Sequence, residues 1–150
     1  ELSEMSNPNH LRLTKLALIT GFRRSELLSL NWRNIDLKNN RLHIQRKECA
    51  ARESSSSMRM VPLPHKAKEL LKSFKSKEGS VINLTKGSAR NGFDRARKKA
   101  GLENLRFHDL RHIAISRMWS SGMNALEISA CSGHRDIKML MRYSHYQLSF

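Results

Sequence analysis

The spacing of apolar residues predicts a run of short helices interrupted once, early, by a small sheet. Leu11, Leu13, Leu16, Ala17 and Ile19 approximate one helical face, and Gly21 breaks that run. Ser25 to Leu30 read as a second short helix ending before Trp32. Two alternating stretches then flank Lys38-Asn39-Asn40, the signature of a hairpin, and Met58 to Leu63 read as a third strand with Pro62 near its end. Residues 65–75 place Ala67, Leu70, Leu71 and Phe74 on one helical face, and Val81-Ile82-Asn83 form a short extended piece. Helices follow over about 88–100, stopped by Gly101, and about 109–121, stopped by Gly122, with two more near 125–131 and 136–141. The predicted fold class is mainly α with a small antiparallel three-stranded sheet. Ser54 to Ser57 are the only low-complexity stretch, read as a mobile loop inside the hairpin.

Charge changes this picture more than composition does. An apolar share of 39% in 150 residues fits one folded domain with a core of its own. Against that, 28 Lys and Arg face 13 Asp and Glu, a formal +15. Self-repulsion of that size opposes compaction, so the excess points to a polyanionic partner, and nucleic acid is the commonest. Cys49 and Cys131 lack the spacing of a zinc knuckle or a disulfide scaffold, and Cys131, inside an amphipathic run, reads as a small core residue. No apolar stretch approaches the roughly 20 residues of a membrane span. There is no signal-peptide pattern, and the expected location is cytoplasmic. The start at Glu1, without Met, reads as that of a fragment.

Four places carry candidate chemistry. Thr20-Gly21-Phe22 precede Arg23 and Arg24, where a glycine turn can swing a permanently charged guanidinium toward a phosphate. Glu26 is the natural ion-pair partner holding that helix. His108 and Arg111, three apart at a helix start, share a face; Leu110 and Ile113 are expected toward the core, and His112 is expected to point elsewhere. Gly133 fits a left-handed helix cap and delivers His134, a possible donor to a phosphate oxygen. Tyr143, with Tyr146 as its competitor, is a nucleophile only if neighbouring groups stabilise charge and take its proton, because a free phenol ionises near pH 10. Each of these alone is as well explained by an ordinary surface or core role.

Together they occur in a telling order. The TG-x-R pattern with its Glu-Leu-Leu helix, the hairpin ending in Val-Pro-Leu-Pro, His108-Asp-Leu-Arg111-His, the Gly133-His134 pair and Met-Arg-Tyr143-Ser-His resemble the catalytic domain of tyrosine recombinases, the phage integrase family, from about Leu11 to Tyr146. The resemblance selects Arg23 over Arg24, which becomes a flanking surface or DNA-backbone residue, and Tyr143 over Tyr146. It implies the DNA breaking-rejoining fold and site-specific recombination, integration or excision, on double-stranded DNA. In that chemistry Tyr143 attacks a phosphodiester to give a 3′-phosphotyrosyl link and a free 5′ hydroxyl. Arg23 and Arg111 stabilise the phosphorane, His134 binds phosphate and His108 assists proton transfer. No metal, ATP or other cofactor is implied.

The family also carries a hairpin lysine that protonates the departing 5′ oxygen. Counting back from Arg59 reaches Glu53-Ser54-Ser55, which has no lysine; counting forward along the second strand meets Lys47 first. A longer hairpin loop reconciles the two counts, and Lys47 is the candidate. The resemblance further implies a single catalytic domain over 1–150 without the N-terminal DNA-binding domain of relatives, and a tetramer on DNA for the full-length protein, bacterial or phage-encoded. The fragment is expected to bind DNA weakly, with the salt sensitivity of phosphate neutralisation. Three other readings stand beside this one: a catalytically impaired DNA-binding protein of the same fold, a type IB topoisomerase-like enzyme, and a metal hydrolase in which His108, His112 and His134 converge.

Overall fold

A computed structural model describes residues 7–45 and 58–147; for 145–147 the description is of the backbone. The loop expected over 46–57, and with it Lys47 and Cys49, lies outside the described residues. The first helix, α1 (Pro8–Thr20), starts where Asn7 accepts a hydrogen bond from the Asn9 N–H and Pro8 supplies a preset φ. It buries Leu13, Leu16 and Ala17 and packs against α2 (Arg24–Leu28), α3 (His65–Lys72), α4 (Lys86–Lys99) and α5 (Asp109–Ser120). Gly21 ends it at φ 68°, its N–H bonded to the Ala17 carbonyl at 2.9 Å.

The sheet runs β1 (Ile35–Asp36), β2 (Arg41–Gln45), β3 (Met58–Pro62), antiparallel and in that order. Asp36 accepts the Asn39 N–H, and Asn40 takes the left-handed conformation that closes the first turn. Register pairs Leu42 with Val61 and Ile44 with Arg59. Alternation sends Leu42, Ile44 and Val61 into the core and Arg41, His43 and Gln45 out. The fold class matches the sequence expectation. The piece expected to be extended at 81–83 is shifted: the pairing is at Asn31 with Ser80, and Val81 donates to the Leu30 carbonyl.

After α5 come α6 (Ala125–Ser132), α7 (Ile137–Leu140) and a 3₁₀ helix, Met141–Gln147, that the apolar pattern does not reveal. Asn124 and Glu127 cap α6 reciprocally, each accepting the other's backbone N–H. Buried apolar residues fall into two clusters. The larger runs from Leu13 to Leu110 through α1, the sheet, α3 and α4. The smaller comprises Ile115, Met118, Trp119, Ile128, Cys131 and Leu140, with Tyr143 packed against it. Helix α5 belongs to both. Cys131 is buried and unbonded to another cysteine, and burial pushes its thiol up, so the core assignment stands. No helix among the described residues is long and apolar enough to cross a membrane.

Candidate active site

An open cleft of about 850 Å³ lies where α2, β3, α5, the α6–α7 turn and the 3₁₀ helix meet. Arg23, His108, Arg111, His134 and Tyr143 all line it. The structure therefore brings together five of the six sequence candidates; the sixth, Lys47, is outside the described residues.

Arg111 sits at the bottom, only 3% exposed. Its Nη1 donates to the Gly21 carbonyl at 2.6 Å, so the turn after α1 both aims Arg23 and anchors Arg111. Its Nη2 lies 3.2 and 3.4 Å from the two ring nitrogens of His134. Burial, and then Arg23, bring the Arg111 guanidinium down to about 10, which leaves it charged at neutral pH. Arg24, by contrast, lies over the Phe107 ring, in keeping with a flanking role.

Glu26 organises the other cation. It is 5% exposed and its Oε2 accepts the Arg23 N–H at 2.8 Å. Its Oε1 lies 3.6 Å from Arg23 Nη1 and 3.3 Å from Arg59 Nη2. The expected ion-pair partner is thus shared by two arginines. Arg59, from β3, also donates to the carbonyls of Ala130 and Cys131 at 3.3 and 3.2 Å and rests over Phe22. It ties the sheet to the end of α6, where the turn to His134 begins. A Cβ on Gly133, which has φ 76°, would come within 2.7 Å of the Arg59 guanidinium carbon. Nothing in the sequence pattern marks Arg59 as part of the site, beyond its place in the third strand.

His134 is half-buried and held from both sides. Ser132 Oγ donates its one proton to the Ile128 carbonyl at 2.7 Å, so at 2.7 Å from His134 Nδ1 it acts as acceptor. That assignment puts the ring proton on Nδ1 and leaves Nε2 toward Arg111. Burial, reinforced by Arg111, lowers His134 to about 4, so the ring is neutral at pH 7. His108 is lowered too, chiefly by burial and then by His112. Asp109 is held below the usual carboxylate range by the Arg106 N–H.

Two expectations about α5 need correction. Ile113 is only partly buried; the core face is Leu110, Ala114, Ile115, Met118 and Trp119. And His112 does not point away from the site. Its Nδ1 is hydrogen-bonded to the Tyr143 hydroxyl, its ring stacks on the Tyr143 ring at 5.8 Å, and the His108 ring meets it edge-on at 4.9 Å. The reason is tertiary: the 3₁₀ helix packs along α5, bringing the tyrosine to the helix face that one-dimensional spacing assigns to solvent. Although His108, His112 and His134 share the cleft, no group of three or more His, Cys, Asp or Glu side chains suited to a metal occurs among the described residues.

The cleft lining holds five arginines (23, 59, 111, 135 and 142) against two carboxylates, Glu26 and Asp136. Such a surface attracts an anion, and a phosphate diester fits two guanidinium forks.

Comparison with known proteins points to one family and one fold. The family model described as the phage integrase family matches residues 3–149. The shufflon-specific DNA recombinase of Escherichia coli is 38% identical over 132 residues, covering 87% of this chain and 33% of that protein's length. The solved catalytic domain of bacteriophage HP1 integrase superposes with a TM-score of 0.71 at 27% identity, covering 98% of this chain and 80% of that one. A lambda integrase dimer bound to a COC′ core site shares the fold, with a TM-score of 0.69 at 21% identity over 99% of this chain and 56% of that one.

Proposed function

Because the chain belongs to the phage integrase family, we propose that it is the catalytic domain of a site-specific DNA recombinase. The observation that carries this reading is the convergence of Arg23, His108, Arg111, His134 and Tyr143 on one cationic cleft. Tyr143 attacks phosphorus in a double-stranded DNA backbone and forms a 3′-phosphotyrosyl bond as the P–O5′ bond breaks. Arg111, fixed by Gly21, and Arg23, held by Glu26, donate to the non-bridging oxygens. Their charge is in place before the phosphorane forms, so little reorganisation is needed at the moment of reaction. His134, neutral and beside Arg111, steadies that guanidinium and the phosphate it grips. His108 assists proton transfer. Lys47, which the family resemblance selects, supplies the proton to the departing 5′ oxygen.

The energy of the broken phosphodiester is kept in the phosphotyrosyl link, so attack by the 5′ hydroxyl of another strand reseals DNA without ATP. Exchange between two duplexes breaks four strands, and one tyrosine serves each. This is the physical reason to expect a tetramer on DNA in the full-length protein, acting in the cytoplasm of a bacterium or an infected cell.

The test is capture of the covalent intermediate on a nicked suicide duplex. The parent protein should form an adduct stable to denaturant, and Tyr143→Phe none. An adduct that persists in Tyr143→Phe removes that residue from the role.

A further inference from the structure

A phenol cannot attack phosphorus efficiently while it keeps its proton, and His112 Nδ1 is hydrogen-bonded to the Tyr143 hydroxyl. His112 is exposed, but both rings are constrained by their neighbours. The two rings lie nearly parallel, at 27°, and Tyr143 is half-buried against the Ile115–Leu140 cluster, which fixes where its hydroxyl points. On the other side the His108 ring abuts His112 edge-on, one helical turn back, which limits rotation of the imidazole. We propose that His112 is a further catalytic residue: the proton acceptor for Tyr143. The proposal rests on the reading of Tyr143 as nucleophile.

The step balances as follows. His112 starts neutral with its proton on Nε2 and its Nδ1 lone pair toward the phenol. As the Tyr143 oxygen bonds to phosphorus, the phenolic proton passes to Nδ1, giving an imidazolium. The P–O5′ bond breaks, and the 5′ oxygen takes its proton from a separate donor, Lys47. On resealing, the imidazolium returns its proton to the departing phenolate. His108 then acts through His112, by holding its ring. The charged and titratable groups around His112 are His108, Asp109 and Arg111 on its own helix, and Tyr143 on the 3₁₀ helix, with Arg142 and His134 on the same cleft.

The experiment separates nucleophile activation from leaving-group protonation. Single-turnover adduct formation is measured for the parent, His112→Ala, His112→Gln, Lys47→Ala and Tyr143→Phe on a nicked duplex that the parent cleaves. Each is run with a normal scissile phosphate and with a 5′-bridging phosphorothiolate, whose sulfur leaves without a proton. Both His112 variants should form adduct about 10²-fold more slowly or worse on either substrate. Free imidazole should restore part of the rate to His112→Ala. Lys47→Ala should be slow on the phosphate alone. His112→Gln keeps a polar, hydrogen-bonding side chain, so its slowness cannot be laid to lost packing; thermal melts confirm that both variants fold. Parent-like rates in both His112 variants, or their rescue by the phosphorothiolate, overturn the proposal while leaving Tyr143 in place. An adduct formed by Tyr143→Phe overturns the underlying reading and this proposal with it.

Discussion

The two hydrophobic clusters hold different halves of the chemistry. The larger, nineteen buried residues among those described, supports the turn that carries Gly21 and Arg23, together with Glu26 and β3 with Arg59. The smaller has six, and supports the α6–α7 turn with His134 and the 3₁₀ helix with Tyr143. Burying more apolar surface makes a region harder to open, so the proposed clamp on phosphate is set in the part expected to be more stable. The proposed nucleophile and one histidine ride on the part expected to open first. A tyrosine that must reach phosphorus, stay bonded to it and later let go benefits from such a lightly held support.

The sharpest way to break this contrast is to damage each cluster equally and ask how far the damage spreads. Ile128→Ala and Leu16→Ala each remove a fully buried aliphatic side chain and should cost about 2–5 kcal/mol. Hydrogen exchange should show Ile128→Ala deprotecting α6 and α7 while α1 keeps its protection, and Leu16→Ala weakening the whole domain. Uniform loss in both variants would mean one cooperative unit and end the comparison.

The next effect tests the seam between the clusters. Gly133→Ala places a Cβ in the left-handed region and against the Arg59 guanidinium, which must then shift and strain its bonds to the Ala130 and Cys131 carbonyls. A loss of about 1–3 kcal/mol is expected in chemical denaturation. In an Arg59→Ala background only the backbone strain should remain, about 1–2 kcal/mol. Additive costs would show that the close approach carries no energy.

The smallest effect is one of pH. Unfolded, His134 takes up a proton near 6.5; folded, only near about 4. Between those values the unfolded chain binds more protons, so stability is complete above the window and declines as pH falls through it. The decline should be about 1–2 kcal/mol once solvent screening is allowed for, and His134→Gln should flatten it in thermal melts. A melting curve equally pH-dependent in His134→Gln would assign the effect elsewhere.

Most of the helices and the sheet order were legible because each follows a strong local rule. Leu13, Leu16 and Ala17 share a buried helical face, Gly21 and Gly133 end helices, and Leu42, Ile44 and Val61 alternate. The candidate site residues that line the cleft were picked out for another reason: order along the chain, matched to a family, where no single residue was decisive. His112 and Arg59 were not legible. Each joins the site through a partner distant in sequence, 31 residues away for Tyr143 and 33 for Glu26. The 3₁₀ helix escaped because its seven residues owe their shape to packing on α5 rather than to any repeat.

Helix α5 acts as a ruler. It carries His108, Arg111 and His112 within about 6 Å of rise, on one rigid rod whose ends are seated in different clusters. The spacing between the group that grips phosphate and the group that meets the phenol is therefore set by helix pitch, and no hinge or loop closure can retune it. In the proposed reaction, every adjustment between cleavage and resealing falls to the segment that bears Tyr143. A nucleophile delivered along any other route would have to meet the same gauge.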